Sequence, residues 1–246
     1  MFPAELGDSI SIALIALSAA TSFLSAAAGI GGGVVLIAVM ASLMPAHAVI
    51  PVHGVVQIGS NAGRTAIMIK HIDLRLVVPF TLGSIVGAAL GGVTAVQLSA
   101  GWLQVGLAFF ILYAAWGPKL SSASHGAAAL TGVFSTFLTM FFGATGMFVS
   151  AMVKTLRLGR LEHVATHAGL MVVQHAIKVI TFGLLGFAYG PYIWLMVGMV
   201  ASGFVGTMIG KRLLIKLNDE VFHRVLSVVL TLLALRLLYQ GATSLL

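Results

Sequence analysis

Four polar residues in an apolar stretch invite a chemical reading first. His53, Gln57, Asn61 and Arg64 are separated by 4, 4 and 3 positions. On a helix that spacing places all four on one face. A second set, His167, Gln174, His175 and Lys178, falls on a similar face of a second apolar stretch. Charged groups inside a membrane span are expensive and face a cavity or a partner. Arg64 and Lys178 each lie several residues inside a predicted helix end. Snorkelling to the headgroups accounts for the two cations but not for the accompanying His and Gln residues. A neutral His can donate to an anion oxygen, and one titrating near neutrality can also carry a coupling proton. A packed, hydrogen-bonded His is the plainer alternative, and both stay open. His47, His71, His125, His163 and His223 sit near loops and read as interfacial.

Glycine supplies the second feature. Gly29-Ile30-Gly31-Gly32-Gly33 precedes an apolar run, 34–44, too short to span a bilayer, and Gly143-Ala144-Thr145-Gly146 precedes another, 147–156. A helix break leaves amides pointing at the gap, at the electropositive end of the next helix. In lipid those groups need protein, water or ligand. Two such ends meeting near the midplane would form an anion site. The alternative is that glycines only let helices approach closely, and for Gly83, Gly87 and Gly91, spaced by four, that reading is preferred.

Acids are absent from the spans. Asp73, Glu162, Asp219 and Glu220 are at loops, and Glu5 and Asp8 lie near the N-terminus. Intramembrane bases without acids point to an anionic solute. No cysteine is present and the histidines lack close metal-ligand spacing, so neither a metal nor a cofactor is expected. No acid stands beside a His in a span, so no hydrolytic triad and no catalytic residue is expected.

The elements that carry these residues follow from composition. In 246 residues, 59% are hydrophobic and 8% charged, and mean hydropathy is +1.10. So few charges could not cover a soluble protein. The length allows roughly eight spans of about 20 residues, with no room for a soluble domain. The apolar runs are continuous rather than alternating, so the spans are helices and not barrel strands. The net charge of +7 reflects basic cytoplasmic loops rather than nucleic-acid binding. The first apolar run, preceded by no basic segment, reads as a retained helix. Trp102, Trp116 and Trp194 lie near span ends, as interfacial anchors do.

The chain also repeats itself. At an offset of 114, Phe23 falls on Phe137, Gly29 on Gly143, Gly32 on Gly146, His53 on His167 and Arg64 on Lys178. Past an insertion near Tyr189-Gly190-Pro191 the offset is 119, and Gly87 meets Gly206 and Gly91 meets Gly210. Basic clusters occur at Lys70/Arg75, Lys154/Arg157/Arg160 and Lys211/Arg212/Lys216/Arg224. If these face the cytoplasm, helix 48–69 runs inward and its mate 162–185 outward. The expected fold is therefore an all-α polytopic membrane protein of two inverted repeats, 1–120 and 121–246. Each has about five helical segments, with broken or re-entrant helices at the glycine clusters.

Several of these stretches resemble one family. Gly29–Gly33 after a first helix, the run Leu82-Gly83-Ser84-Ile85-Val86-Gly87-Ala88-Ala89-Leu90-Gly91, and the second copy from Gly143 through Val164-Ala165-Thr166 are similar to the sulfite exporter TauE/SafE family of membrane permeases. The resemblance covers nearly the whole chain. It implies an inner-membrane permease, not ATP-driven, that moves small sulfur-containing anions such as sulfite, thiosulfate, sulfoacetate or other organosulfonates. Three positions depart from the pattern. Ala38 stands where many members have proline. The second triple glycine is reduced to Gly143, Thr145, Gly146 and Met147. Val52-His53 and Thr166-His167 replace a frequent Thr-Ser, which changes size and proton chemistry.

The anion would lie between the halves, against the helix ends at Gly31, Gly32 and Gly33 and at Thr145 and Gly146. Arg64 and Lys178 would supply charge, and His53, Gln57, Asn61, His167 and Gln174 would orient its oxygens. Expected partners are this small anion and membrane lipid, with a second copy of the chain as a candidate and nucleic acid excluded. A permease for a carboxylate or an inorganic anion is the alternative, followed by a non-transporting membrane protein.

Overall fold

A computed structural model describes residues 2–28, 31–117, 128–212 and 219–246. Gly29, Ile30, Lys119, His125, Lys216 and the junction between residues 120 and 121 lie outside the described residues, as do the side chains of Lys211, Arg212 and His223. The described residues form ten α-helices and no strand. In order they are α1 (Gly7–Ala28), α2 (Gly32–Leu43), α3 (Ala46–Ile67), α4 (Val77–Ala95), α5 (Ala100–Trp116), α6 (Ala128–Phe142), α7 (Gly146–Thr155), α8 (Arg160–Leu184), α9 (Ile193–Arg212) and α10 (Asp219–Leu245).

Among the described residues five stretches are long and apolar enough to cross a bilayer: Gly7–Ala26, Leu74–Ala95, Leu161–Leu184, Gly190–Gly210 and Leu226–Leu245. At 22 residues α3 has the length of a span, about 33 Å at 1.5 Å per residue, but its polar face keeps it out of that group. Protein shields it instead, since residues 48–54 are all buried. The helix breaks expected at the glycines are present. Gly31, with φ +112°, stands just before α2, and Gly143, with φ +71°, follows α6. Both φ values suit glycine because they clash with a Cβ.

The helices sort into two compact units. The first holds α1, α2, α3 as far as Ile50, α5, α9 and α10; the second holds α3 from Pro51, with α4, α6, α7 and α8. Each unit thus draws on both sequence halves.

Within the first unit α1 packs on α9. Ser18 Oγ donates to the Met199 carbonyl at 2.7 Å, and Ser202 Oγ to the Ile15 carbonyl at 2.7 Å. The α5–α10 pair is tied by Trp116 Nε1, which donates to Thr231 Oγ1 at 2.8 Å. At the start of α2, a Cβ on Gly32 would run into the Thr21 carbonyl and Ser25 Oγ, so this end of the helix lies directly on the α1 backbone.

Within the second unit α4 lies on α6 with almost nothing between the backbones. A Cβ on Gly83, Gly87 or Gly91 would meet the carbonyls of Ala129, Val133 and Phe137 in turn. The first unit repeats the pattern, because Gly206 faces the Ala19 carbonyl and Gly210 the Phe23 carbonyl. Gly206 and Gly210 lie 119 residues beyond Gly87 and Gly91, while Val133 and Phe137 lie 114 beyond Ala19 and Phe23. The contacts thus carry the same two offsets as the sequence. Membrane helices gain little from hydrophobic association, and such close approach supplies packing in its place.

Below α8 a core of Phe80, Val149, Met152, Val153, Leu170 and Met171 fills the second unit. The turn between α3 and α4 docks on α8: the Asp73 amide donates to Thr166 Oγ1 at 2.9 Å, and the Ile72 side chain covers Gly169. Arg75 pairs with Asp73 at 2.7 Å and holds its carboxyl below the usual carboxylate range, chiefly by the side-chain hydrogen bond.

Replacing Gly87 by Val drives branched carbons into the α6 backbone. Overpacking of this kind costs about 1–3 kcal/mol, so the apparent Tm in detergent should fall. Gly190→Ala, which meets nothing within 4 Å, should leave it unchanged.

Candidate functional site

The polar face of α3 is a hydrogen-bonded chain. Gln57 Nε2 lies 3.0 Å from His53 Nε2, Asn61 Nδ2 donates to the Gln57 carbonyl at 2.8 Å, and Arg64 Nη2 donates to Asn61 Oδ1 at 2.9 Å. With the Gln57 amide donating, His53 Nε2 accepts, and the proton of the neutral ring resides on Nδ1. His53, Gln57 and Asn61 are buried, and Arg64 is half-buried.

Across from it in the same unit stands α8. The His175 ring meets His53 edge-on, with centroids 6.1 Å apart and planes at 83°. Lys178 is wholly buried, and its Nζ donates to the Gly143 carbonyl at 3.2 Å. Gly143 follows the last residue of α6, so the ammonium sits at the electronegative end of that helix. The lysine stem passes over Gly54 of α3, where a Cβ would stand 2.8 Å from Lys178 Cε. His167 Nε2 lies 3.1 Å from the Gly146 carbonyl, which can only accept, so the ring proton is on Nε2.

Gln174 closes a second polar group. Its Nε2 lies 3.0 Å from Ser135 Oγ, 3.2 Å from Thr136 Oγ1 and 3.3 Å from Thr145 Oγ1. Thr145 also donates to the Ser135 carbonyl at 3.0 Å, which ties the break before α7 back onto α6.

The basic groups act on one another. His167 lies within electrostatic range of Arg64, and His175 within range of Lys178, His53 and His167. Among the described residues no carboxylate bonds to Arg64, Lys178, His167 or His175; the ion pair found there is Asp73–Arg75. Nor do the described residues hold a cluster of three His, Cys, Asp or Glu able to bind a metal.

Nine of the twelve residues expected from the sequence lie in the second unit: His53, Gln57, Asn61, Arg64, Thr145, Gly146, His167, Gln174 and Lys178. Gly31, Gly32 and Gly33 open α2 in the first unit. Sequence reading missed Ser135 and Thr136 as partners of Gln174, and Gly54 as the seat of the Lys178 stem. The hydroxyls had a signal, because Ser135, Thr136 and Thr139 stand 114 residues beyond Thr21, Ser22 and Ser25. Gly54 had none.

Helices long and apolar enough to cross a bilayer, with basic side chains buried among them, define a polytopic membrane protein. The family model for the sulfite exporter TauE/SafE matches residues 14–237, and the chain belongs to that family of transporters. No curated protein and no solved structure matches it significantly.

A buried ammonium whose partner among the described residues is one carbonyl is costly to the folded state. Replacing such a charge by an apolar residue of similar volume is neutral or stabilising by about 1–4 kcal/mol. Lys178→Met should therefore keep or raise the apparent Tm, whereas Gly54→Val, which displaces the lysine stem, should lower it. A marked fall in Lys178→Met would mean that the ammonium has a structural role.

Proposed function

We propose that this chain is a secondary permease of the inner membrane for small sulfur-containing anions: sulfite, thiosulfate or an organosulfonate such as sulfoacetate. The observation that carries this reading is the gathering of Arg64, Lys178 and three histidines in the second unit, with no carboxylate among the described residues bonded to Arg64, Lys178, His167 or His175. Such a cluster is expensive in a membrane interior and is relieved by an anion. Membership of the TauE/SafE family supports sulfur chemistry for that anion. In this reading Arg64 and Lys178 supply charge, while His53, Gln57, Asn61, His167 and Gln174 orient the bound anion.

The offsets of 114 and 119 in both sequence and glycine contacts support a duplication with halves 1–120 and 121–246. Basic loops at Lys70/Arg75 and Lys154/Arg157 support inverted halves with those loops in the cytoplasm. The short helices α2 and α7 then turn back within the membrane. Alternating access follows from movement of one part of the molecule against the rest.

Flux into proteoliposomes tests the reading. Sulfite, thiosulfate or sulfoacetate should be carried in preference to acetate and chloride. Arg64→Ala and Lys178→Ala should each reduce the flux by about tenfold or more, as loss of a buried charged contact does. Unchanged flux of every anion in both variants overturns the site, and preference for acetate favours a carboxylate permease. A reporter fused at Lys119 should report the cytoplasm and one at Gln97 the opposite face.

A further inference from the structure

Gln174 has a fully buried side chain, and only one end of its amide is used. Thr145 decides which end. Its hydroxyl proton is committed to the Ser135 carbonyl at 3.0 Å, so only its lone pairs face Gln174. The amide must therefore present N–H to Thr145, 3.3 Å away, and that same nitrogen also reaches Ser135 and Thr136. Gln174 Oε1 then points away from the hydroxyls, and it is buried without a hydrogen-bond partner. Two other atoms of the unit share that condition among the described residues: His175 Nδ1, on the next residue, and Thr139 Oγ1, one turn along α6 from Ser135.

An amide oxygen can only accept. Leaving one buried and unmatched is costly, and buried polar groups are otherwise satisfied. Lys178, one turn along α8, and Arg64 and the histidines of the same unit call for negative charge. A simple oxyanion answers that call but presents only lone pairs, so it leaves Gln174 Oε1 unmatched and repels it. The ligand that satisfies both demands carries an anionic head and its own O–H or N–H donor. The Thr139 hydroxyl suits either side of such a molecule, because it both donates and accepts.

We propose that the substrate is an anion bearing its own hydrogen-bond donor, a hydroxyl or an acid proton beside the charged head, and that Gln174 Oε1 receives that donor. This rests on the anion-permease reading and narrows it. Arg64 and Lys178 respond to charge, and Gln174 separates anions of equal charge by the donor they carry. An ordered water is the competing occupant of the Oε1 position.

Two isosteric pairs separate these cases, each exchanging a hydroxyl for a methyl: isethionate against propane-1-sulfonate, and glycolate against propionate. Affinity is measured on the purified full chain and flux in proteoliposomes. The hydroxyl member of at least one pair should bind about tenfold tighter or more, since a site built to bond a hydroxyl rejects the analogue without it. Gln174→Leu should abolish the discrimination, whereas Arg64→Ala should weaken both members alike. Equal affinity within both pairs in the unaltered protein overturns the inference and assigns the position to water. Discrimination that survives in Gln174→Leu overturns it as well. If none of the four binds while thiosulfate, which carries no donor, is still carried, the inference fails and the permease reading stands. If no anion is carried at all, the permease reading itself fails.

Discussion

A lysine ammonium to which no carboxylate among the described residues is bonded lies buried among apolar helices, and much of the second unit is arranged to tolerate it. Lys178 finds one acceptor, the carbonyl of Gly143. That carbonyl is available because α6 stops at Phe142 and leaves its last carbonyls outside the helical ladder. The chain can turn there because Gly143 adopts φ +71°. The stem reaches its position because Gly54 leaves room for it on α3. Three features far apart in sequence thus serve a single charge. Among the described residues that carbonyl is the partner found for the ammonium, which has three donors.

The surroundings are made rigid by backbone contact. Lipid tails are as apolar as leucine, so helices in a membrane gain little by hiding hydrophobic surface from them. Glycine at every fourth position lets α4 settle on the carbonyls of Ala129, Val133 and Phe137, and dispersion between the closely packed atoms replaces the missing force. On the other side of α8, Ile72 and the Asp73 amide hold it from the α3–α4 turn.

Much of this was legible in the residues. The 4, 4, 3 spacing from His53 to Arg64 predicts one helical face, and the structure joins those four residues into a bonded chain. Glycine runs before short apolar stretches predict helix breaks, and breaks occur at both. Partnership was not legible. Periodicity states which face of a helix is polar and is silent on which helix it meets. Nothing in the spacing of Lys178 says that it reaches a backbone carbonyl, or that Gln174 reaches three hydroxyls. The same limit hid the interleaving. Two contiguous halves are the natural reading of a duplication, yet α4 of the first half pairs with α6 of the second, and α9 of the second half with α1 of the first.

That interleaving bears on how the chain is made. A helix bundle usually docks neighbours as they leave the ribosome, because contacts close in sequence form first. Here α1 emerges long before its partner. The bond from Ser18 to Met199 spans 181 residues, and the carbonyls of Ala19 and Phe23 receive Gly206 and Gly210 only when α9 has entered the bilayer. Until then α1 keeps the hydroxyls of Ser18 and Ser22, which face Gly203 of α9, toward whatever surrounds it during insertion. The first unit therefore assembles late, near the end of translation. An insertion machinery able to shelter one unfinished polar face for most of synthesis is as much a requirement of this sequence as the lipid itself.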